Sequence, residues 1–161
     1  MSTTQVGTDA AADQLLPKPG DMKFEVTTIP VADVDRAKAF YEQLGWRMDI
    51  DFSPGPGARG VQFTPPGSAA SIQFGSGPKA MPADRPLQGL LLIVADIEAT
   101  REDLIGRGIE VGDFWHLDLE KGPQPGRDPE GRTYATRANF SDPDGNTWQL
   151  QEITERLPGR V

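Results

Sequence analysis

The chain has 161 residues, which is enough for one domain, or for two small fused modules, with a hydrophobic core. Its net charge of −8 argues against binding to a nucleic-acid backbone, which requires clustered Lys and Arg. It contains no cysteine, so disulfides, thiolate nucleophiles and cysteine-based zinc sites are excluded.

The N-terminal residues 1–20 are rich in Ala, Thr, Asp and Pro, and they predict a disordered tail. The first nine residues have neither the basic nor the apolar segment of a signal peptide. The longest apolar run, Leu90 to Ala95, is far shorter than the ~20 residues that span a bilayer. We therefore expect a cytoplasmic protein that makes no contact with membranes.

The first module, residues 21–77, is predicted to contain one helix and four strands. Asp33 suits the N-cap of the helix, and Gly45 suits the position after its last turn. The predicted elements are a strand at 22–31, the helix between Asp33 and Gly45, a strand from Trp46, and strands at about 60–64 and 69–75. Apolar residues alternate with polar ones in the strand after the helix, which predicts one buried face: Trp46, Met48, Ile50 and Phe52.

The second module, residues 87–154, repeats this plan after a Gly- and Pro-rich linker at 78–86, and a short tail follows at 155–161. The predicted elements are a strand at 87–95, a helix from Asp96 to Arg107, and strands at 109–119, 133–140 and 147–153. The Gly- and Pro-rich loop 121–132 is long enough to form a lid.

A repeated phrase relates the two modules. Val31-Ala32-Asp33-Val34-Asp35 in the first corresponds to Val94-Ala95-Asp96-Ile97-Glu98 in the second, and each module has the order β-α-β-β-β. The sequence therefore predicts an α+β fold in which two βαβββ modules form a curved, incomplete mixed β-barrel around a central cavity, with the helices outside.

The motif from Pro30 to Trp46, together with Asp142-Pro143-Asp144-Gly145-Asn146 and a final strand, resembles the vicinal oxygen chelate superfamily. That superfamily includes glyoxalase I, extradiol dioxygenases and the bleomycin-resistance binding proteins. The resemblance covers residues 22–153, and it implies the fold more specifically than the reaction.

The resemblance also implies where a metal would be held. Metal-dependent members place His, Glu or Gln ligands on the first and last strand of each module, at positions that here are Val26, Ser71, Gly89 and Gln149. Val26 and Gly89 offer no side-chain ligand, Ser71 offers a poor one and Gln149 a neutral carbonyl. Divalent transition metals prefer imidazole or carboxylate ligands, so we expect neither a metal nor another cofactor.

Strand alternation predicts which side chains face the cavity. The lining is neutral, with amides and hydroxyls among aliphatic residues, which suits an uncharged or aromatic small molecule. The alternative is that the amides bond one another inside a filled barrel. The residues predicted to contact the ligand are Thr28, Ser71, Gln73, Leu91, Trp115, Gln149 and Gln151.

For several titratable or charged residues, the sequence is compatible with either a functional or a structural role. His116, the single histidine, is the candidate catalytic acid–base, and the alternative is a hydrogen-bonded structural histidine. Three arginines in and after the lid segment either bind a carboxylate or are simply solvated: Arg127, Arg132 and Arg137.

These observations favour a metal-free protein that binds a small molecule and works as a homodimer, as the bleomycin-resistance branch implies. The alternative is a glyoxalase- or dioxygenase-like enzyme, that is, a lyase, isomerase or oxygenase. It would use a displaced metal or His116, and a lid over 121–132 would suit it. A structural or regulatory dimer with a filled cavity is the third possibility.

Overall fold

The computed structural model describes residues 16–78 and 80–158. Most of the predicted disordered tail 1–20, and the end of the predicted tail 155–161, lie outside the described residues. Within them, no helix has the length and apolar character needed to cross a membrane.

The first module folds into a four-stranded sheet with one helix on it. Asp33 caps the helix as predicted, because its side chain accepts a hydrogen bond from the backbone N–H of Arg36. The elements are β1 (Val26–Thr28), α1 (Val34–Gln43), β2 (Arg47–Gly55), β3 (Ala58–Thr64) and β4 (Ser71–Ser76). The strand order is β1-β4-β3-β2, with β1 parallel to β4 and the other neighbours antiparallel.

The second module repeats this arrangement in a five-stranded sheet. Its elements are β5 (Leu90–Val94), α2 (Ile97–Gly106), β6 (Trp115–Asp118), β7 (Gly122–Pro125), β8 (Thr136–Ser141) and β9 (Thr147–Glu152). The order is β5-β9-β8-β6-β7, with β5 parallel to β9. The predicted α+β architecture of two related modules is confirmed, and the two sheets stay open instead of closing into a barrel.

The segment predicted as a lid is anchored to the sheet. Residues 122–125 form β7, which pairs antiparallel with β6 and adds a strand to the predicted plan. Pro123 and Pro125 are tolerated there because an edge strand has one side without ladder hydrogen bonds. After β7, Gly126 donates its N–H to the carbonyl of Phe114 at 2.8 Å.

One continuous hydrophobic core joins the modules. The ring of Tyr41 on α1 lies 5.9 Å from Phe63 and 5.6 Å from Phe74 of the first sheet. The same ring lies 6.4 Å from Trp148 of the second sheet, and Trp148 lies 5.0 Å from Trp46. Each sheet therefore has a core-facing side and a second side, which we call its open face.

A buried carboxylate links the modules through hydrogen bonds. Asp142, in the β8–β9 turn, accepts from the Tyr41 hydroxyl at 2.8 Å and from the Asn146 side-chain amide at 2.7 Å. The Asn146 amide also donates to the carbonyl of Pro30 at 2.8 Å. Burial, with the negative charge of Asp142 beside it, raises the pKa of Tyr41 well above its usual value, so the hydroxyl stays protonated and donates.

The strand β2 differs from its predicted pattern. All nine of its residues are exposed, and the pairing with β3 shifts between Met48 and Ile50. Before the shift Met48 pairs with Phe63 of the core, whereas after it Ile50 pairs with Gln62 on the open face. The prediction that Trp46, Met48, Ile50 and Phe52 share one buried face is therefore wrong, because a β-bulge exchanges the two sides.

Candidate functional site

The strand register assigns the side chains of each open face, since directly paired residues point to the same side. In the first sheet this side carries Val26, Thr28, Ile50, Phe52, Gln62, Ser71 and Gln73. In the second sheet it carries Leu91, Ile93, Trp115, Arg137, Asn139, Gln149 and Gln151. These sets contain every predicted ligand-contact residue, and Arg137 and Asn139 are among the further residues that they include.

Apolar side chains on both open faces are exposed to solvent. Ile50 and Phe52 are 49% and 61% exposed, and Leu91 and Ile93 are 51% and 39% exposed. Exposed apolar residues that occur singly are ordinary, whereas a shared row rimmed by polar groups is typical of a binding surface. The open faces are therefore the part of the described molecule best suited to hold an apolar ligand or partner.

The polar groups of the first open face are paired with each other. The Gln73 amide donates to the Thr28 hydroxyl at 2.8 Å. The hydroxyls of Ser71 and Thr64 lie 2.7 Å apart, and the Thr64 hydroxyl also donates to Asp49. Ser71 is only 7% exposed. The first open face therefore offers a ligand few free hydrogen-bond donors or acceptors.

The second open face has a cation at its centre. A terminal nitrogen of Arg137, Nη1, donates to Oε1 of Gln149 at 3.1 Å. The guanidinium carbon of Arg137 lies 5.2 Å from the centre of the Trp115 ring, which is a cation–π contact. The Trp115 indole in turn donates to Asn139 Oδ1 at 3.4 Å.

Several clefts adjoin these faces, and two of them are lined by Ser71 or Arg137. A cleft of about 280 Å³ lies between the modules and brings Ser71 together with Gly89 and Leu91. A second cleft of about 250 Å³ reaches Arg137 from the side of β6, and we call it the Arg137 cleft. Its lining consists of Leu117, Leu119, Arg132, Thr133, Tyr134, Ala135 and Arg137.

The residues at the family metal positions do not fit a divalent cation. Val26 and Gly89 carry no donor, and the Ser71 hydroxyl is buried against Thr64. The Gln149 carbonyl accepts from a guanidinium, whose positive charge would repel a metal ion at this place. Within residues 16–78 and 80–158, no three His, Asp or Glu side chains are grouped closely enough to hold one.

His116 lies on the other side of the second sheet. It pairs with Thr136, on the side that carries Trp148 and Leu150, and it is 8% exposed. Its Nδ1 lies 2.9 Å from the carbonyl oxygen of Gly126. The structure therefore separates His116 from the open-face residues, and a role as acid–base does not fit a ligand on that face.

Asp128, near His116, is expected to make stability depend on pH. The hydrogen-bonded guanidinium of Arg132 lowers the pKa of Asp128 to about 2, from an ordinary value of 3.8. Because the folded-state pKa is depressed, the stabilisation is complete above about pH 4 and is lost as the pH falls towards 2. Urea unfolding should therefore show Asp128→Asn less stable than the wild type at neutral pH, with the difference shrinking below about pH 4.

The matched control is Glu130→Gln, because Glu130 also pairs with Arg132 but its side chain is 70% exposed. We expect this variant to follow the wild type across the whole pH range. A difference between wild type and Asp128→Asn that stays constant down to pH 2 would contradict the assignment.

Comparison with known proteins places this architecture in a family. The model of the Glyoxalase/Bleomycin resistance protein/Dioxygenase superfamily matches residues 23–150, which is most of the chain. The chain belongs to this superfamily. No curated protein sequence matches the chain significantly.

Solved structures of the superfamily agree with this assignment. TnmS3, an antibiotic binding protein from Streptomyces sp. CB03234, is 30% identical, with 84% of this chain and 98% of that chain covered and a TM-score of 0.61. A glyoxalase/bleomycin resistance protein from the same organism is 31% identical, with coverages of 81% and 100% and a TM-score of 0.57. The bleomycin resistance determinant encoded on transposon Tn5 is 18% identical, covers 83% and 100%, has a TM-score of 0.56 and supports the fold alone.

The strand register shows which of the predicted site residues lie together in this chain. The register brings Leu91, Gln149 and Gln151 onto one open face with Trp115, and Thr28, Ser71 and Gln73 onto the other. Arg137 is predicted from the sequence only as one of three arginines that either bind a carboxylate or are solvated, and Asn139 is not among the predicted residues. Residues 137 and 139 are two positions apart in the strand predicted at 133–140, so strand alternation places their side chains on the same face. This alternation was the signal in the sequence that could have located both residues.

Proposed function

We propose that this chain is a metal-independent binding protein that holds a small aromatic molecule on its open faces. The observation that carries the proposal is the state of the family metal positions. Two of them have no donor, and the other two, Ser71 and Gln149, are engaged with Thr64 and Arg137. A site without metal donors but with exposed apolar side chains is suited to binding a ligand by burial of apolar surface.

The aromatic character of the ligand is supported by Trp115. Its ring is partly exposed on the open face and is flanked by the guanidinium of Arg137 and the amide of Asn139. Flat rings stack on such a platform at little cost in conformational entropy. TnmS3, at 30% identity, is described as an antibiotic binding protein, which supports a small-molecule ligand here as well.

A homodimer in the cytoplasm is part of the proposal. Ile50 and Phe52 on one open face, and Leu91 and Ile93 on the other, would be covered if a second copy packed against them. The enzyme alternative lacks comparable support, because His116 is buried on the core-facing side and the lid segment is paired with β6.

The proposal is tested by titrating EDTA-treated protein with 2-naphthamide, a neutral two-ring probe, and following the indole N–H signals by NMR. We expect the Trp115 signal to shift, and the signal of Trp46, a core residue, to stay in place. Trp115→Phe should weaken binding by about 3- to 10-fold, since one stacking contact is lost. Trp46→Phe is the matched control and should bind like the wild type.

Two results would contradict the proposal. The first is a wild-type protein that binds the probe only after Zn, Ni, Mn or Fe has been restored. The second is more than about half an equivalent of bound metal that disappears in Gln149→Ala, since metal affinity would then depend on a family ligand position.

A further inference from the structure

Arg137 has donors and a charge that the described part of the chain leaves unused. Its Nε is buried and has no hydrogen-bond partner, and only Nη1 bonds a side chain, that of Gln149. Within residues 16–78 and 80–158, no carboxylate forms an ion pair with Arg137. By contrast, Arg132 is held by Asp128 at 2.7 Å, and Arg127 by Glu152 at 3.0 Å.

An acceptor from outside the chain would complete this arrangement. A buried N–H without a partner destabilises a folded protein, and unsatisfied buried groups in native structures call for a specific reason. The planar guanidinium, with five donors, matches the two oxygens of a carboxylate and binds phenolate oxygens well. The Trp115 ring lies against the guanidinium of Arg137, and Arg137 also lines a cleft that a ligand can enter.

The Arg137 cleft provides the space for such a ligand. Its volume of about 250 Å³ is sufficient for one or two fused rings, and its lining joins apolar Leu117 and Ala135 to Arg137. Tyr134 in the wall has a φ of 66°, the one positive φ among non-glycine residues of the described ranges. Its N–H donates to Glu152 at 2.8 Å and its carbonyl accepts from Gln151 at 2.7 Å, so the sheet holds this strained residue in place. Backbone strain of this kind occurs preferentially at ligand sites.

We propose that Arg137 supplies the positive charge of the binding site and that the ligand is an aromatic compound with an acidic oxygen, a carboxylate or a phenolate. The aromatic part would lie in the Arg137 cleft, and the oxygen would pair with the guanidinium of Arg137, which lines that cleft. This inference rests on the function proposed above and replaces the neutral ligand expected from the sequence.

The experiment compares two probes of the same shape, 2-naphthoate and 2-naphthamide, by isothermal titration calorimetry. For the wild type we expect the acid to bind about 10- to 100-fold more tightly than the amide, the range for hydrogen bonds to a charged group. Arg137→Gln should remove this preference, so that the variant binds the two probes with affinities that agree within about twofold. Arg137→Lys should recover part of the preference, because it keeps the charge without the planar donor pair.

The matched control is Arg85→Gln, which removes the same charge from an exposed arginine in the linker and should leave both affinities unchanged. Circular dichroism spectra and thermal unfolding establish that each variant is folded. Equal affinities of the wild type for the two probes, or an equal loss in Arg85→Gln and Arg137→Gln, would overturn the role of Arg137 while leaving the proposed binding function in place. Failure of both probes to bind would overturn the two proposals together.

Discussion

Replacing Asp142 by alanine is expected to destabilise the folded protein by about 3–5 kcal/mol, because several buried donors lose their acceptor together. One oxygen of Asp142 accepts from the backbone N–H groups of Asp144 and Asn146, each at 2.9 Å. The other accepts from the Tyr41 hydroxyl and the Asn146 side chain. Asp142 is 5% exposed and Asn146 fully buried, so water cannot easily replace the carboxylate. The effect should appear as a lower urea midpoint in far-UV circular dichroism.

Two further variants distinguish the effect of losing the Asp142 hydrogen bonds from a general effect of mutating the β8–β9 turn. Ser141→Ala, at the exposed neighbouring residue, is the matched control and should change stability by less than about 0.5 kcal/mol. Tyr41→Phe removes one donor to Asp142 and the acceptor of the Trp148 indole, which donates to Tyr41 at 3.1 Å, and should cost about 1–3 kcal/mol. If Asp142→Ala costs no more than Ser141→Ala, the carboxylate does not link the modules as described.

Replacing Phe63 by alanine is expected to cost about 3–5 kcal/mol, the usual range for removing a buried aromatic ring. Phe63 is fully buried on β3, and its ring stacks on that of Phe74 at 6.1 Å. The ring of Tyr41 lies 5.9 Å away, so helix α1 would lose packing against the sheet. The change is measured as the free energy of unfolding in urea, with the slope of the transition checked for two-state behaviour.

Phe52→Ala is the matched control, because Phe52 lies on the neighbouring strand β2 but on the open face, where it is 61% exposed. In dilute protein we expect a loss below about 0.5 kcal/mol. A larger loss that grows with protein concentration would show that a partner subunit covers Phe52, in agreement with the proposed homodimer. A large loss at every concentration would contradict the assignment of the two faces.

Much of the fold could be predicted from local patterns. The two helices begin after Asp33 and Asp96, whose side chains accept hydrogen bonds from N–H groups of the first turn. Both N-cap residues could be predicted because they occupy the same place in the repeated Val-Ala-Asp motif. Alternation in β9 correctly separated Trp148 and Leu150, which are buried, from Gln149 on the open face. These features depend on residues close in sequence, so periodicity and capping were sufficient to predict them.

Other features depended on contacts that no local pattern contains. The bulge in β2 places Asp49 where it accepts from Gln62 and Thr64 of the next strand, and this pairing sends Ile50 and Phe52 to the open face. The strand β7 carries two prolines and no strand signal of its own, and it forms because β6 offers a free edge.

The sequence by itself determined the two-module plan, the helix ends and the family, because each of these depends on which residues stand at fixed spacings. Only the tertiary structure decided which apolar face is covered, that His116 lies on the core-facing side, and that Arg137 meets Trp115 and Gln149 without a carboxylate in the described residues. The physical reason is that burial and charge compensation arise between segments far apart in the chain. The pairing of β6, β8 and β9 therefore determines what Arg137 can bind, and the spacing of residues within any one strand does not.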